Sequence, residues 1–149
     1  MLLAPRDVEQ FFRLHRTLMF HVNQRLQVIP DPIPTPERFS GLPPEVRLKV
    51  RDAWLENIEL VESFASENPA QLADDELDIV RSWRHFVAGK FYVFRELKNY
   101  TVFLTTADPA IAYGVVALSQ SFEELIGPHL PVLTETVLLP FKDQIVYDG

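Results

Sequence analysis

The stretch KFYVFRELKNYTVFLTT, residues 90–106, decides the fold of this chain. Its apolar residues follow a period of two, and β-branched and aromatic residues dominate it, which indicates two strands that turn at Lys98-Asn99. Three further runs of this kind follow it, AIAYGVVAL, VLTETVLL and QIVYD. The turn-like links are too short for the crossovers that parallel strands need. The pattern therefore predicts a five-stranded antiparallel sheet.

The first predicted strand is apolar on both faces, because Phe91 and Val93 alternate with Tyr92 and Phe94. Such a strand needs cover on both sides, either from a helical layer or from closure of the sheet on itself. A small curled barrel is therefore the alternative to an open sheet. Gly114 would then mark a bulge or a close backbone approach. The last strand is expected at an open edge, where a partner can add a strand.

Helices are predicted before residue 89, where apolar residues recur at spacings of three and four. We expect three principal helices, over residues 4–26, 44–65 and 74–87. Asp74 is the expected N-cap of the third helix, and Gly89 is its expected left-handed cap at the other end. A one- or two-turn helix capped by Ser121 is expected within the sheet region.

A proline-rich strap at residues 28–44 separates the first two helices, because its prolines exclude a continuous helix or a central strand. One helical turn capped by Thr35 is expected within it. A chain of 149 residues with 47% apolar residues can form one domain with a full core. We predict a single α+β domain with a helical part over residues 1–88 and a β part over residues 89–149.

The composition of the chain and the motifs that it lacks exclude several kinds of catalytic, cofactor and metal site. The chain has no cysteine, which excludes disulfides, thiolate zinc sites and cysteine nucleophiles. The serine-hydrolase motifs, the G-x-G-x-x-G motif and the Walker loop are absent from the sequence. The sequence therefore predicts no catalytic residue, no cofactor and no metal ligand. The net charge of −7 falls on both parts, and no clustered basic stripe typical of nucleic-acid binding occurs.

The start of the chain, MLLAPRDVEQ, lacks the basic region of a signal peptide, and no apolar run reaches the roughly 20 residues needed to span a bilayer. We expect a cytoplasmic protein that does not bind a membrane.

Several histidines and glutamates are candidates for metal binding or acid-base catalysis, but each has a simpler structural interpretation. His15 lies on the apolar stripe of the first helix without a partner at metal spacing, which is typical of a partly buried structural histidine. His21 lies six residues after His15, whereas two histidines that bind one metal ion on a helix are four residues apart. His85 lies at the end of the third predicted helix, where it can complement the helix dipole. Glu96 and Glu135 are polar exceptions on apolar strands and could form a carboxylate pair, although strand glutamates usually face solvent.

One group of residues predicts a binding surface: Tyr92, Phe94, Arg95, Lys98 and Tyr100. Aromatic side chains beside cations on a sheet can stack nucleobases if they are exposed, whereas buried aromatics would form the core. Since the sequence offers surfaces and no chemistry, we expect a non-enzymatic interaction or regulatory module that binds a protein partner or a second copy of the chain. Nucleic-acid binding by this group is the first alternative. The second is an enzyme whose site assembles only in three dimensions.

The segments AYGVVAL, FEELIG and LLPFKDQIVYDG follow one another in the last third of the chain. With these segments, the 59 residues from residue 91 onward resemble the C-terminal part of a group of uncharacterised bacterial proteins. The resemblance implies the order of a YGV strand, a short helix and an LLPF-x4-VYDG hairpin, and it implies no activity. Some members carry cysteine-rich metal-binding tails, a role that does not transfer to a chain without cysteine.

Overall fold

The computed structural model describes residues 2–148, so Gly149 at the end of the hairpin motif lies outside the described residues. Contacts between residues divide the chain into two units. The helical unit comprises residues 10–84, and the sheet unit comprises residues 85–148 together with residues 2–9. The single domain remains a prediction. Among residues 2–148, no helix has the length and apolar character needed to cross a membrane.

Five α-helices and one 3-10 turn precede the sheet: α1 (Pro5–Leu26), α2 (Pro36–Ser40), α3 (Pro44–Glu56), α4 (Leu60–Glu67), α5 (Asp74–Ser82) and the turn Trp83–His85. The predicted turn within the proline-rich strap is confirmed as α2, because Thr35 Oγ1 accepts a hydrogen bond from the Arg38 N–H at 3.2 Å. Large buried side chains form the core of the helical unit: Leu14, Leu18, Val50, Trp54, Phe64 and Trp83.

The prediction of one helix over residues 44–65 is wrong, because the helix is interrupted between Glu56 and Leu60. Asn57 leaves the helical region at φ −132° and ψ 53°, and its side-chain amide donates to the Ala53 carbonyl at 2.8 Å. This bond satisfies a carbonyl that a helix end leaves without its usual partner. The apolar spacing continues on both sides of Asn57, so periodicity did not indicate the break.

The third helix begins at residue 74 as predicted, but it ends at Ser82 rather than near residue 87, and both of its predicted caps are wrong. Ala73, and not Asp74, is the N-cap of α5. Alanine has no side-chain acceptor, so one of the two hydrogen bonds of a capping box cannot form. The other is present, because the Ala73 N–H donates to Glu76 Oε1 at 3.4 Å. Gly89 does not cap the helix, because it lies inside the first strand, where it pairs with Thr136 and has φ +151°.

The five predicted antiparallel strands are confirmed: β1 (Val87–Glu96), β2 (Thr101–Thr105), β3 (Ala112–Val115), β4 (Val132–Phe141) and β5 (Gln144–Asp148). They lie in the order β3-β2-β1-β4-β5, so β1 is the central strand. The predicted short helix is confirmed as α6 (Phe122–Ile126), and Ser121 Oγ accepts from the Glu124 N–H at 3.2 Å.

The sheet curls into a half-barrel. Its terminal strands approach each other, and the N–H of Val116, which follows β3, donates to the carbonyl of Ile145 in β5 at 2.9 Å. The concave inner face buries one apolar cluster, which includes Phe91, Val93, Phe103, Val115 and Leu138. Helix α6 lies against this face, because the ring centroid of Phe122 is 5.1 Å from that of Phe103.

Candidate functional site

Successive side chains of β1 point to opposite faces of the sheet, which places the aromatic side chain of Tyr92 on the outer face of the half-barrel. Phe91 and Val93 are buried in the inner cluster, whereas Tyr92 between them is 44% exposed. The cross-strand neighbours of Tyr92 are Leu104 on β2 and Leu133 on β4. Paired residues of neighbouring strands share a face. The three side chains therefore form an apolar row across three strands.

A β-bulge in β1 adds an aromatic and a cation to this surface. Val93 pairs with Phe103 and Arg95 pairs with Val102, so Phe94 is the extra residue. A bulge interrupts the strict alternation of side chains between the two faces. As a result Phe94, which is 47% exposed, and Arg95 are consecutive exposed residues.

The turn between β1 and β2 supplies the remaining predicted residues. It is closed by a hydrogen bond from the Leu97 N–H to the Tyr100 carbonyl at 2.8 Å, and it exposes Lys98. The ring of Tyr100 lies over Gly114 of β3, since a Cβ at Gly114 would be 2.7 Å from Tyr100 Cδ2. The predicted close approach at Gly114 is confirmed, and the bulge alternative at this position is wrong because β3 pairs with β2 without a register shift.

The outer aromatic face is the name we use for the five sequence-predicted residues and the two leucines of the apolar row: Tyr92, Phe94, Arg95, Lys98, Tyr100, Leu104 and Leu133. All five predicted residues are exposed. The leucines were not predicted, because the strand register that brings them beside Tyr92 is set by pairing and not by local sequence. Alternation in VLTETVLL is the sequence signal that separates Leu133 from its less exposed neighbours.

The outer aromatic face is locally basic within an acidic chain. Lys90 pairs across the strands with Glu135, next to the apolar row. Within residues 2–148, Arg95 and Lys98 take part in no ion pair. Two cations, Arg95 and Lys98, therefore belong to the face, and Lys90 borders it opposite Glu135, although the whole chain carries a net charge of −7.

The conceivable carboxylate pair of Glu96 and Glu135 is not formed. Glu135 pairs with Lys90, whereas Glu96 pairs with Thr101 at the other end of β1. Six residues of extended strand separate the two positions, which is about 20 Å. The two carboxylates therefore cannot act on one substrate atom.

His21 has the environment closest to that of a catalytic base, but its hydrogen bonds point to a structural role. Its Nε2 lies 3.0 Å from Ser63 Oγ, and Ser63 Oγ donates to the Leu60 carbonyl at 3.0 Å. Since a hydroxyl has one proton, Nε2 of His21 must be the donor to Ser63. Burial, reinforced by the charge of Arg25 and opposed by that of Glu67, lowers the pKa of His21. A neutral ring that donates to Ser63 cannot activate this hydroxyl as a nucleophile.

The other histidines lie in different surroundings. His15 is partly buried against Trp83, with ring centroids 5.9 Å apart, and His85 is exposed. In the part of the chain that the structure describes, no three His, Asp or Glu residues are grouped to hold a metal ion.

Comparison of the chain with family models, with characterised proteins and with solved structures gives no match. The resemblance to the bacterial group with the YGV strand therefore remains a prediction.

Proposed function

We propose that this chain is a non-enzymatic interaction module of a bacterial cytoplasmic protein, and that its outer aromatic face binds a protein partner. The apolar row of Tyr92, Leu104 and Leu133 carries the proposal. Single exposed apolar residues are common on protein surfaces, but apolar residues that continue across three strands favour a binding surface. Tyrosine is also among the residues that contribute most to binding energy at protein interfaces.

The charges of the face favour a partner other than a second copy. In a symmetric dimer the same patch meets itself, so Arg95 and Lys98 would approach the same cations on the other copy. A partner with apolar side chains flanked by carboxylates would instead be attracted, and its association would slow as salt increases. The preferred partner is therefore a protein with an acidic, apolar surface segment.

A photo-cross-linking amino acid at Leu133 in the full chain, expressed in its native host, tests the proposal. We expect one discrete adduct with another protein, and we expect purified samples of the two proteins to bind. Tyr92→Ser should weaken this binding at least tenfold, and Arg95→Glu should weaken it and reduce its salt dependence. Phe12→Ser is the matched control, because Phe12 is an aromatic of similar exposure in α1, and it should leave binding unchanged.

Two results would overturn the proposal: no discrete adduct at Leu133, or an adduct whose partner binds Tyr92→Ser as tightly as the original chain. A cross-link between two copies of the chain, together with a dimer detected by light scattering, would show that the partner is a second copy and not an acidic protein.

Nucleic-acid binding is the second candidate, because Tyr92, Phe94 and Tyr100 are exposed beside Arg95 and Lys98. Exposed aromatic rings stack on bases, and nearby cations attract the phosphates. The aliphatic Leu104 and Leu133 and the acidic balance of the chain favour the protein partner instead. Titration with mixed-sequence single-stranded oligonucleotides at low salt tests this candidate. Saturable binding that Tyr92→Ser abolishes and Phe12→Ser preserves would support it, and no binding would exclude it.

A further inference from the structure

A cavity of about 180 Å³ lies on the concave side of the half-barrel, between the sheet and α6. Five apolar residues line it, namely Val93, Phe103, Phe122, Leu125 and Ile126. The space is partly open to solvent beside Leu125, which is 43% exposed, so it is an apolar pocket that a ligand can reach. Water inside it would find few hydrogen-bond partners, and a ligand that displaces this water would gain free energy.

The polar groups of the cavity are three hydroxyls. Thr134 and Thr136 of β4 and Tyr147 of β5 line it together with the apolar residues. The Thr136 hydroxyl donates to the Asp148 carbonyl at 3.4 Å, so its proton is already in use. Tyr147 packs against Phe122 with ring centroids 5.2 Å apart, and burial raises the pKa of Tyr147, which keeps its hydroxyl protonated. The walls are therefore predominantly apolar and uncharged, and a hydroxyl is the one kind of side-chain polar group among the lining residues.

We propose that this cavity binds a small, neutral ring compound that bears one hydroxyl or carbonyl group. An apolar protein cavity of about 150 Å³ is large enough to bind benzene, so the present one accommodates a single ring with a small substituent. A charged ligand would lose its hydration without gaining an opposite charge. Glu123 and Glu124 on α6 disfavour anions further.

Helix α6 forms the wall through which the ligand would enter. Leu125 lines the cavity and is also 43% exposed, so it lies at the boundary between the cavity and solvent. The helix has only five residues and ends at Gly127, whose φ of +87° favours glycine. Few backbone hydrogen bonds therefore hold α6 beside the mouth of the cavity.

Methyl NMR of the full chain with phenol, benzene and benzoate as probes tests the inference. Phenol and benzene should cause saturable shifts of the Val93 and Ile126 methyl signals, whereas the exposed Ile111 should not respond. Benzoate should bind at least tenfold more weakly. Tyr147→Phe should weaken the binding of phenol about three- to tenfold, as expected for one lost hydrogen bond. The same change should leave the affinity for benzene unchanged. An equal effect on both probes would contradict the hydroxyl contact.

Adjacent residues of β4 provide a matched pair of variants. Thr134→Trp fills the cavity, whereas Leu133→Trp places the same side chain on the outer face of the same strand. Binding of phenol should be lost in the first variant and retained in the second. If Thr134→Trp does not fold, Thr134→Leu fills less of the cavity and should weaken benzene binding at least fivefold. The proposal is overturned if the probes cause no saturable shift, or if filling at Thr134 leaves their affinity unchanged.

Discussion

Tyr100 lies across Gly114, so close that a Cβ on Gly114 would be 2.7 Å from Cδ2 of the ring. Real side chains do not tolerate this distance, so any other residue at position 114 must displace the ring. The pair therefore connects the turn after β1 to β3 and fixes one end of the outer aromatic face.

Gly114→Ala should destabilise the chain by about 1–3 kcal/mol, the usual cost of an overpacked contact. In a Tyr100→Ala background the same change should be neutral or stabilising, because alanine is preferred to glycine inside a strand by about 0.5–1 kcal/mol. Urea unfolding of the four chains in a double-mutant cycle measures the coupling. Equal effects of Gly114→Ala in both backgrounds would show that the ring is not the obstacle.

Glu76 should stabilise the helical unit in a pH-dependent way. Burial alone raises the pKa of Glu76, but hydrogen bonds from Gln10, Arg13 and the Ala73 N–H, with the charge of Arg13, lower it overall. A lowered pKa in the folded state means that this stability is full above the ordinary value near 4.5 and is lost as pH falls through the folded-state pKa.

Glu76→Gln should therefore reduce the free energy of unfolding at pH 7 by about 1–2 kcal/mol, and the difference should shrink as the pH falls below 4. Urea titrations at several pH values measure it. Asp75→Asn is the control, because it removes a neighbouring exposed carboxylate from the same helical turn, and its effect should be smaller.

His21 should make the chain less stable in mild acid. Since burial lowers the pKa of His21, the unfolded chain binds a proton more readily than the folded one. Stability should therefore fall as pH falls below about 6.5, by at most about 1.4 kcal/mol per pH unit for one proton. His21→Gln should flatten the dependence between pH 7.5 and 5, and the exposed His129→Gln should leave it unchanged. Parallel slopes for His21→Gln and the original chain would contradict this assignment.

Phe122 should be the main stabilising residue of α6. It is 9% exposed and contacts the rings of Phe103 and Tyr147. Phe122→Ala should lower the free energy of unfolding by about 3 kcal/mol, the lower end of the range for a buried phenylalanine. Phe94→Ala, the same change at an exposed position, should cost about 0.5 kcal/mol or less. Thermal and urea unfolding measure the free energy of unfolding of both variants. Similar losses of stability in the two variants would mean that α6 does not pack as described.

The strands of this chain could be predicted from sequence because their period and their β-branched and aromatic residues agree. The break at Asn57 could not, because the apolar spacing continues across it and the deciding interaction is a side-chain bond to the Ala53 carbonyl. The exposed residues of β1 were identified as a candidate surface, but the bulge that exposes Phe94 depends on pairing with β2.

The residues added to the candidate sites by the structure come from distant parts of the sequence. Leu133 joins Tyr92 only through the register of β1 and β4. Thr134 and Tyr147 share a cavity only because β4 and β5 form a hairpin over which α6 lies. No local pattern encodes such neighbours, since each position alone is an ordinary strand residue.

The hydrogen bond between Val116 and Ile145 bears on how this protein avoids aggregation. Terminal strands with free backbone groups are templates on which further copies can stack into fibrils. Curling brings the two terminal strands of this sheet toward each other, so each hinders access to the backbone of the other. The half-barrel thereby limits polymerisation through its edges while the part of its outer face around Tyr92 and Leu133 stays exposed.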